Sequence, residues 1–214
     1  MYKAILFDLD GTILNTLDDL YISTNYALTY YNLPNRTYEE IRCFVGNGVR
    51  VLIEKAVGSK NLHLTDLVIS KFKEHYQIHS KDHIKEYDGI TELLENLKQK
   101  GLLLAVVTNK FNLAAQDIVN KYFPNIFDYI LGESTNLRRK PYPDMCNYVL
   151  EQLNPTASDA LYVGDSDVDI KTAANANLKC ISCSWGFKTK EELLSYNAKI
   201  IIDNPSELIN FLKK

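Results

Sequence analysis

Tryptophan is nearly absent from this 214-residue chain, which has a single one, and methionine, histidine and cysteine number only two, four and four. So little cysteine and histidine leaves no material for a dense disulfide framework or a repeated zinc module. Long hydrophobic runs are also missing. The longest, such as Leu102–Val107, fall far short of the ~20 apolar residues a membrane-spanning helix needs. Met1-Tyr2-Lys3 leads straight into a strand-like run with polar residues close behind, so no signal peptide is expected. Neither sign of charge dominates: the formal net charge is −3, which gives no electrostatic reason to expect nucleic acid or an anionic membrane as partner. What is present is ordinary globular material, 46% hydrophobic and 24% charged, enough to bury a substantial core in one or two domains.

The cysteines are Cys43, Cys146, Cys180 and Cys183. Cys180 and Cys183 make a C-x-x-C, the spacing of a metal half-site or a redox pair. No second such pair or nearby histidine completes a zinc site, and the segment Lys179–Trp185 alternates like a strand. The four are therefore read as free thiols, buried or half-buried in the case of the pair, in a reducing cytoplasm.

Two kinds of segment alternate along most of the chain. Apolar runs at Lys3–Phe7, Leu102–Val107, Tyr129–Leu131, Ala160–Val163, Lys179–Ser182 and Ile200–Ile202 read as buried parallel strands. Amphipathic stretches at Ile90–Lys100, Leu113–Tyr122, Asp144–Leu153, Asp167–Asn175 and Lys190–Ser195 read as helices between them. Strand, helix, strand in repetition implies a Rossmann-like α/β fold: an open parallel sheet with helices on both faces. The stretch from about Thr16 to Asp82 departs from this pattern. It shows helical periodicity at Leu17–Tyr31, Tyr38–Phe44, Asn47–Val57 and Thr65–Tyr76, broken at Leu33-Pro34-Asn35, Val45-Gly46-Asn47 and Val57-Gly58-Ser59. The expected organisation is thus an α/β core of residues 1–15 and 83–214, with an all-helical domain of residues 16–82 inserted after the first strand.

Ligands of open α/β sheets bind outside the carboxyl ends of the strands. Asp8 and Asp10 follow the first run, Thr108 and Asn109 the second, and Asp165, Asp167 and Asp169 the fourth, while Lys140 precedes Pro141 downstream of Tyr129–Leu131. Clustered carboxylates repel one another unless a cation neutralises them, and oxygen-only ligands suit a hard ion such as Mg²⁺. A hydroxyl and a lysine are the donors that hold phosphoryl oxygens. Taken singly, Asp8 and Asp10 are equally a loop pair, Thr108 a helix cap and Lys140 a solvated lysine. Their joint placement points to phosphoryl transfer.

Asp8-Leu9-Asp10-Gly11-Thr12, Thr108-Asn109, Lys140-Pro141 and Gly164-Asp165-Ser166-Asp167-Val168-Asp169 resemble, in order, the four motifs of the haloacid dehalogenase-like hydrolases. The helical stretch resembles the cap inserted in one class of that superfamily. The resemblance implies that Asp8 is the nucleophile, forming an aspartyl-phosphate, and that Asp10 is the general acid and base. It implies Mg²⁺ held by Asp8, Asp10 (through its backbone carbonyl), Asp165 and Asp169, with Asp167 outside the set. Thr108, Asn109, Lys140 and Gly11 would bind the phosphoryl group. Asn15 stands where many relatives carry Asp. Relatives that dehalogenate lack the second Asp of the first motif, so Asp10 favours a phosphatase or phosphomutase.

Phe44-Val45-Gly46-Asn47-Gly48-Val49-Arg50 and the late segments Ser184–Phe187 and Ile201–Leu208 resemble the phosphoglycolate phosphatase branch. That resemblance implies hydrolysis of 2-phosphoglycolate, with Asn47 and Arg50 as specificity residues of the cap. On the residues alone, Gly46-Asn47-Gly48 is equally an interhelical turn and Arg50 a solvated arginine. A sugar-phosphate phosphomutase, a phosphatase or pyrophosphatase of a neighbouring branch, and a non-catalytic binding protein remain as alternatives.

Overall fold

The computed structural model describes residues 2–134 and 136–213. Two compact units emerge, one of Met1–Leu14 with Glu86–Lys214 and one of Asn15–Lys85.

The first unit is built on a six-stranded sheet. Its strands are β1 (Ala4–Phe7), β4 (Leu103–Phe111), β5 (Tyr129–Glu133), β6 (Ala160–Gly164), β7 (Lys179–Cys183) and β8 (Ile201–Ile202), and the two-residue strands β2 (Leu14–Asn15) and β3 (Lys85–Glu86) pair separately. The order is β5-β4-β1-β6-β7-β8, and every neighbouring pair is parallel. Helices α5 (Ile90–Gln99), α6 (Asn112–Tyr122), α7 (Asp144–Leu153), α8 (Asp167–Asn175), α9 (Lys190–Ser195) and α10 (Ser206–Leu212) follow in this unit. Central position explains the composition of β1: Ala4, Ile5, Leu6 and Phe7 are all buried, because both faces of the strand are covered. Burying each large side chain contributes about 1.5–3 kcal/mol, so this strand anchors the sheet edge that carries the first motif. Against one face pack Met145, Cys146, Val149 and Leu150, whose spacing makes one stripe of α7.

Three details depart from the sequence expectation. The second strand does not end at Val107 but continues to Phe111, so Thr108, Asn109 and Lys110 belong to the strand itself, with a register shift against β5 between Val107 and Phe111. Polar residues at a strand end break the apolar run that marks a strand, which hides this extension from a hydrophobicity pattern. Helix α10 is too short, with Leu208 as its one buried residue, to show a period. Strands β2 and β3 are shorter still.

The second unit is helical: α1 (Leu17–Tyr30), α2 (Tyr38–Phe44), α3 (Gly48–Val57), a 3₁₀ turn at Ser59–Leu64 and α4 (Thr65–His79). Helix α1 packs on α4. Thr37 and Glu40 form a reciprocal capping box that starts α2. Arg36 Nε donates to the Ala56 carbonyl at 2.7 Å, satisfying an otherwise open group at the end of α3. Among the described residues no helix is long and apolar enough to cross a membrane.

Candidate active site

At the carboxyl end of β1 the chain turns back on itself. The amides of Thr12, Ile13 and Leu14 all donate to the Leu9 carbonyl, and Gly11 N donates to Leu14 O at 2.9 Å. Gly11 has φ +84°, and a Cβ there would lie 2.4 Å from Asp165 Oδ2. Only glycine meets both demands. Asp8 itself is held by its amide, which donates to Val163 O of the neighbouring β6 at 2.9 Å.

The end of β6 delivers Asp165, whose Oδ2 accepts from Phe187 N at 2.6 Å. Asp169 arrives through the start of α8. Ser166 caps that helix, and the cap is reciprocal: Asp169 Oδ2 accepts from Ser166 N at 3.0 Å and from Ser166 Oγ at 2.6 Å. A side chain that ordinarily only caps a helix is here also part of the acid cluster. Oxygens of Asp8, Asp165 and Asp169 lie within 4.8 Å of one another, and all three residues are buried. Asp167 stands apart, paired with Lys171 at 2.6 Å in an i, i+4 bridge.

Lys140 enters the cluster as its counter-charge. Its Nζ lies 2.7 Å from Asp169 Oδ1 and 2.9 Å from Asp8 Oδ1, and it is buried with them. The contact with Asp8 is electrostatic without hydrogen-bond alignment, so Asp8 Oδ1 is a buried carboxylate oxygen with no aligned donor. Asn109 is buried beside Lys140. It clamps the backbone of Lys140, donating to the Lys140 carbonyl at 3.1 Å and accepting from the Lys140 amide at 2.9 Å. Thr108 is buried, and its Oγ1 accepts from Lys110 N at 3.3 Å.

Burial pushes the Asp8 carboxyl up to about 7, with Lys140 opposing the rise and Asp169 and Asp10 adding to it. Burial likewise raises Asp165 well above the ordinary carboxylate range, reinforced by Asp169 and Asp8. For Lys140, burial works against the ammonium, but Asp169 and Asp8 outweigh it and hold the group charged. Three buried acids, Asp8, Asp165 and Asp169, share the one lysine Lys140, and the negative charge left over when they ionise is the condition a hard cation relieves. The donor set is oxygen-only and includes an oxygen without an aligned partner, so it fits Mg²⁺.

Several members of this site carry no signal in the sequence pattern. Lys110 Nζ donates to Asp10 Oδ1 at 2.7 Å, both side chains being largely buried. The one available clue was its position, directly after Thr108-Asn109. Tyr162, in the middle of an apolar strand, reads as core yet bonds to Lys140 at 2.9 Å. Gly186 abuts the first loop so closely that a Cβ would lie 2.2 Å from Gly11 O. Asn47 and Arg50 belong to the helical unit. Asn47 occupies the N-cap position of α3 without a side-chain cap bond, and Arg50 is paired with Asp66 at 2.5 Å and Glu54 at 3.8 Å.

Comparison with known proteins agrees across nearly the whole chain. The family model described as haloacid dehalogenase-like hydrolase matches residues 5–183. The phosphoglycolate phosphatase of Colwellia psychrerythraea is 32% identical over 220 residues, covering 99% of this chain and 97% of that protein. That of Aquifex aeolicus is 32% identical over 213 residues, covering 98% and 96%. The crystal structure of a predicted phosphoglycolate phosphatase from Haemophilus somnus superposes with a TM-score of 0.91 at 29% identity, covering 99% of this chain and 98% of that one. The chain belongs to the haloacid dehalogenase-like hydrolases, in their phosphoglycolate phosphatase-like branch.

Proposed function

We propose that this enzyme is a Mg²⁺-dependent phosphatase that hydrolyses 2-phosphoglycolate to glycolate and phosphate through an aspartyl-phosphate on Asp8. The observation that carries the reading is Asp8 itself: a buried carboxylate with an oxygen lacking an aligned donor, beside Lys140 and within reach of Asp165 and Asp169.

In the first step an Asp8 oxygen attacks phosphorus and the ester P–O bond breaks, while Asp10 gives its proton to the departing glycolate oxygen. In the second, Asp10 takes a proton from water, the water oxygen attacks phosphorus, and the bond to Asp8 breaks to release phosphate. Lys140, Thr108 and the Gly11 backbone supply donors to the phosphoryl oxygens. Asn109 serves them by fixing the Lys140 backbone. Asp8, Asp165 and the Asp10 carbonyl would hold Mg²⁺, which when bound neutralises charge on the phosphoryl group. Both oxygens of Asp169 already accept hydrogen bonds, so Asp169 supports the ion through water and Lys140 directly.

Residues 16–82 are read as the cap that selects the substrate. Arg50 is its candidate for the glycolate carboxylate, by exchange from Asp66, and Asn47 is its neighbour in that role. The free thiols of Cys43, Cys146, Cys180 and Cys183 suit a cytoplasmic setting.

A panel of small phosphate esters, assayed with wild type and Asp8→Asn, tests this directly. Fastest turnover is expected on 2-phosphoglycolate, with loss of at least about 10³-fold in the variant and complete, Mg²⁺-reversible loss on chelation. Substantial hydrolysis by Asp8→Asn would reject the nucleophile. A much faster sugar phosphate or pyrophosphate would reject the substrate and leave the mechanism standing.

A further inference from the structure

Lys140 is gripped at both ends. Asn109 brackets its backbone, as described, and its ammonium has three hydrogens to give and no lone pair to receive with. One hydrogen goes to Asp169 Oδ1 at 2.7 Å, and a second goes to the Tyr162 hydroxyl at 2.9 Å. Since lysine only donates, the Tyr162 oxygen accepts there, and its own single hydrogen points elsewhere. The Val107 carbonyl is the nearer acceptor for it at 3.0 Å, with Asp169 Oδ1 at 3.3 Å. Tyr162 is completely buried, so no water competes for that hydroxyl. The third hydrogen of the ammonium is the one on the Asp8 side, where the 2.9 Å contact lacks hydrogen-bond alignment.

We propose that Tyr162 is a positioning residue for phosphoryl binding. Its hydroxyl, locked as an acceptor by Val107, aims the remaining N–H of Lys140 at the oxygens of a phosphoryl group arriving at Asp8. The proposal rests on the reading of Lys140 as a phosphoryl-binding residue. A phenylalanine at 162 fills nearly the same volume and keeps the ring that lies 5.6 Å from the ammonium, but offers it no oxygen. Lys140 then keeps Asp169 alone on that side and turns into alignment with Asp8, tightening a pair that must loosen before Asp8 attacks.

The test compares wild type, Tyr162→Phe, Lys140→Met and the double variant, each with saturating Mg²⁺, using p-nitrophenyl phosphate turnover and inhibition by orthophosphate. Tyr162→Phe is expected to raise KM and the orthophosphate inhibition constant together by about tenfold, the worth of one charge-assisted hydrogen bond. In the Lys140→Met background it is expected to add nothing, because its effect passes through the lysine. An orthophosphate constant unchanged in Tyr162→Phe, or losses that add in full in the double variant, would overturn the proposal. Lys140→Met with wild-type turnover would overturn the underlying reading and the proposal with it, whereas an inactive Lys140→Met beside an unaffected Tyr162→Phe overturns the proposal alone. Should Tyr162→Phe fail to fold, ¹⁵N NMR of the wild type decides. A slowly exchanging Lys140 ammonium resonance, assigned by its loss in Lys140→Met, is expected, and its absence counts against the locked seat.

Discussion

Lys110 Nζ donates to Asp10 Oδ1 across 2.7 Å, tying the end of β4 to the loop that follows β1. Asp10 is the proposed acid and base, and Lys110 fixes where its carboxyl points. Lys110→Met is therefore expected to lower kcat about tenfold, a fraction of the 10²–10⁴ that a positioned acid–base group contributes, with KM much less affected. Removing the ammonium that faces a largely buried carboxylate should also cost about 1–3 kcal/mol, read as a lower thermal midpoint. A variant with normal kcat and only reduced stability would make the pair a structural one.

Without metal, stability should depend on pH in an unusual direction. The Asp8 carboxyl is raised from 3.8 to about 7 in the folded chain. A group with a higher folded than unfolded pKa binds its proton more tightly when folded, so its contribution is complete below about 4 and is lost as pH rises through about 7. Asp165 shifts the same way. Thermal melts in EDTA are expected to show a midpoint that falls between pH 5 and pH 8. Added Mg²⁺ should restore more at pH 8 than at pH 5, since it replaces the missing positive charge. A metal-free midpoint that rises over that range would contradict the buried, repelling cluster.

Gly186→Ala is expected to harm both stability and metal binding. Its new methyl would sit 2.2 Å from Gly11 O and 2.4 Å from Asp165 Cβ, where backbone and a buried side chain have no room to yield. Overpacking of this kind costs about 1–3 kcal/mol. Calorimetric titration should find Mg²⁺ bound more weakly because Asp165 is displaced. Wild-type affinity and midpoint in the variant would show that the loop relaxes freely.

Native labelling with iodoacetamide at pH 7.5 is expected to modify Cys43 alone. Cys43 is exposed, whereas burial pushes the thiols of Cys146 and Cys180 up to about 12 and that of Cys183 well above its usual value. The thiolate is the reactive form, so these three should label only after unfolding. Rapid native labelling of Cys180 or Cys183 would revive a redox role for their C-x-x-C.

Much of the core was legible because one physical signal suffices for it. Asp144–Leu153 and Asp167–Asn175 have the helical bounds their apolar spacing announces, and the buried runs at β1 and β6 lie within a residue of expectation. Thr108, Asn109 and Lys110 mark where that signal stops. They extend a strand with side chains chosen for chemistry, so hydrophobic patterning ends four residues too soon. The carboxylates were visible as residue types after strands, but their pairing was not. Which lysine meets which acid depends on side chains brought together across the chain, from a hundred residues away for Asp10 and Lys110 and from the segment after β5 for Lys140 and Asp169. Asn109 shows the converse: its place in the second motif was readable, and its work as a backbone clamp was not.

Asp169 closes the first turn of α8 with the same carboxylate that neutralises Lys140. Secondary structure and charge balance therefore share one side chain. If that turn opens, even briefly, Lys140 loses its nearest anion and the nucleophile loses its settled neighbour. Fraying of a single helical turn thus becomes a way to silence the centre without unfolding the sheet, and amide exchange at Ser166 and Asp169 would time how often it happens.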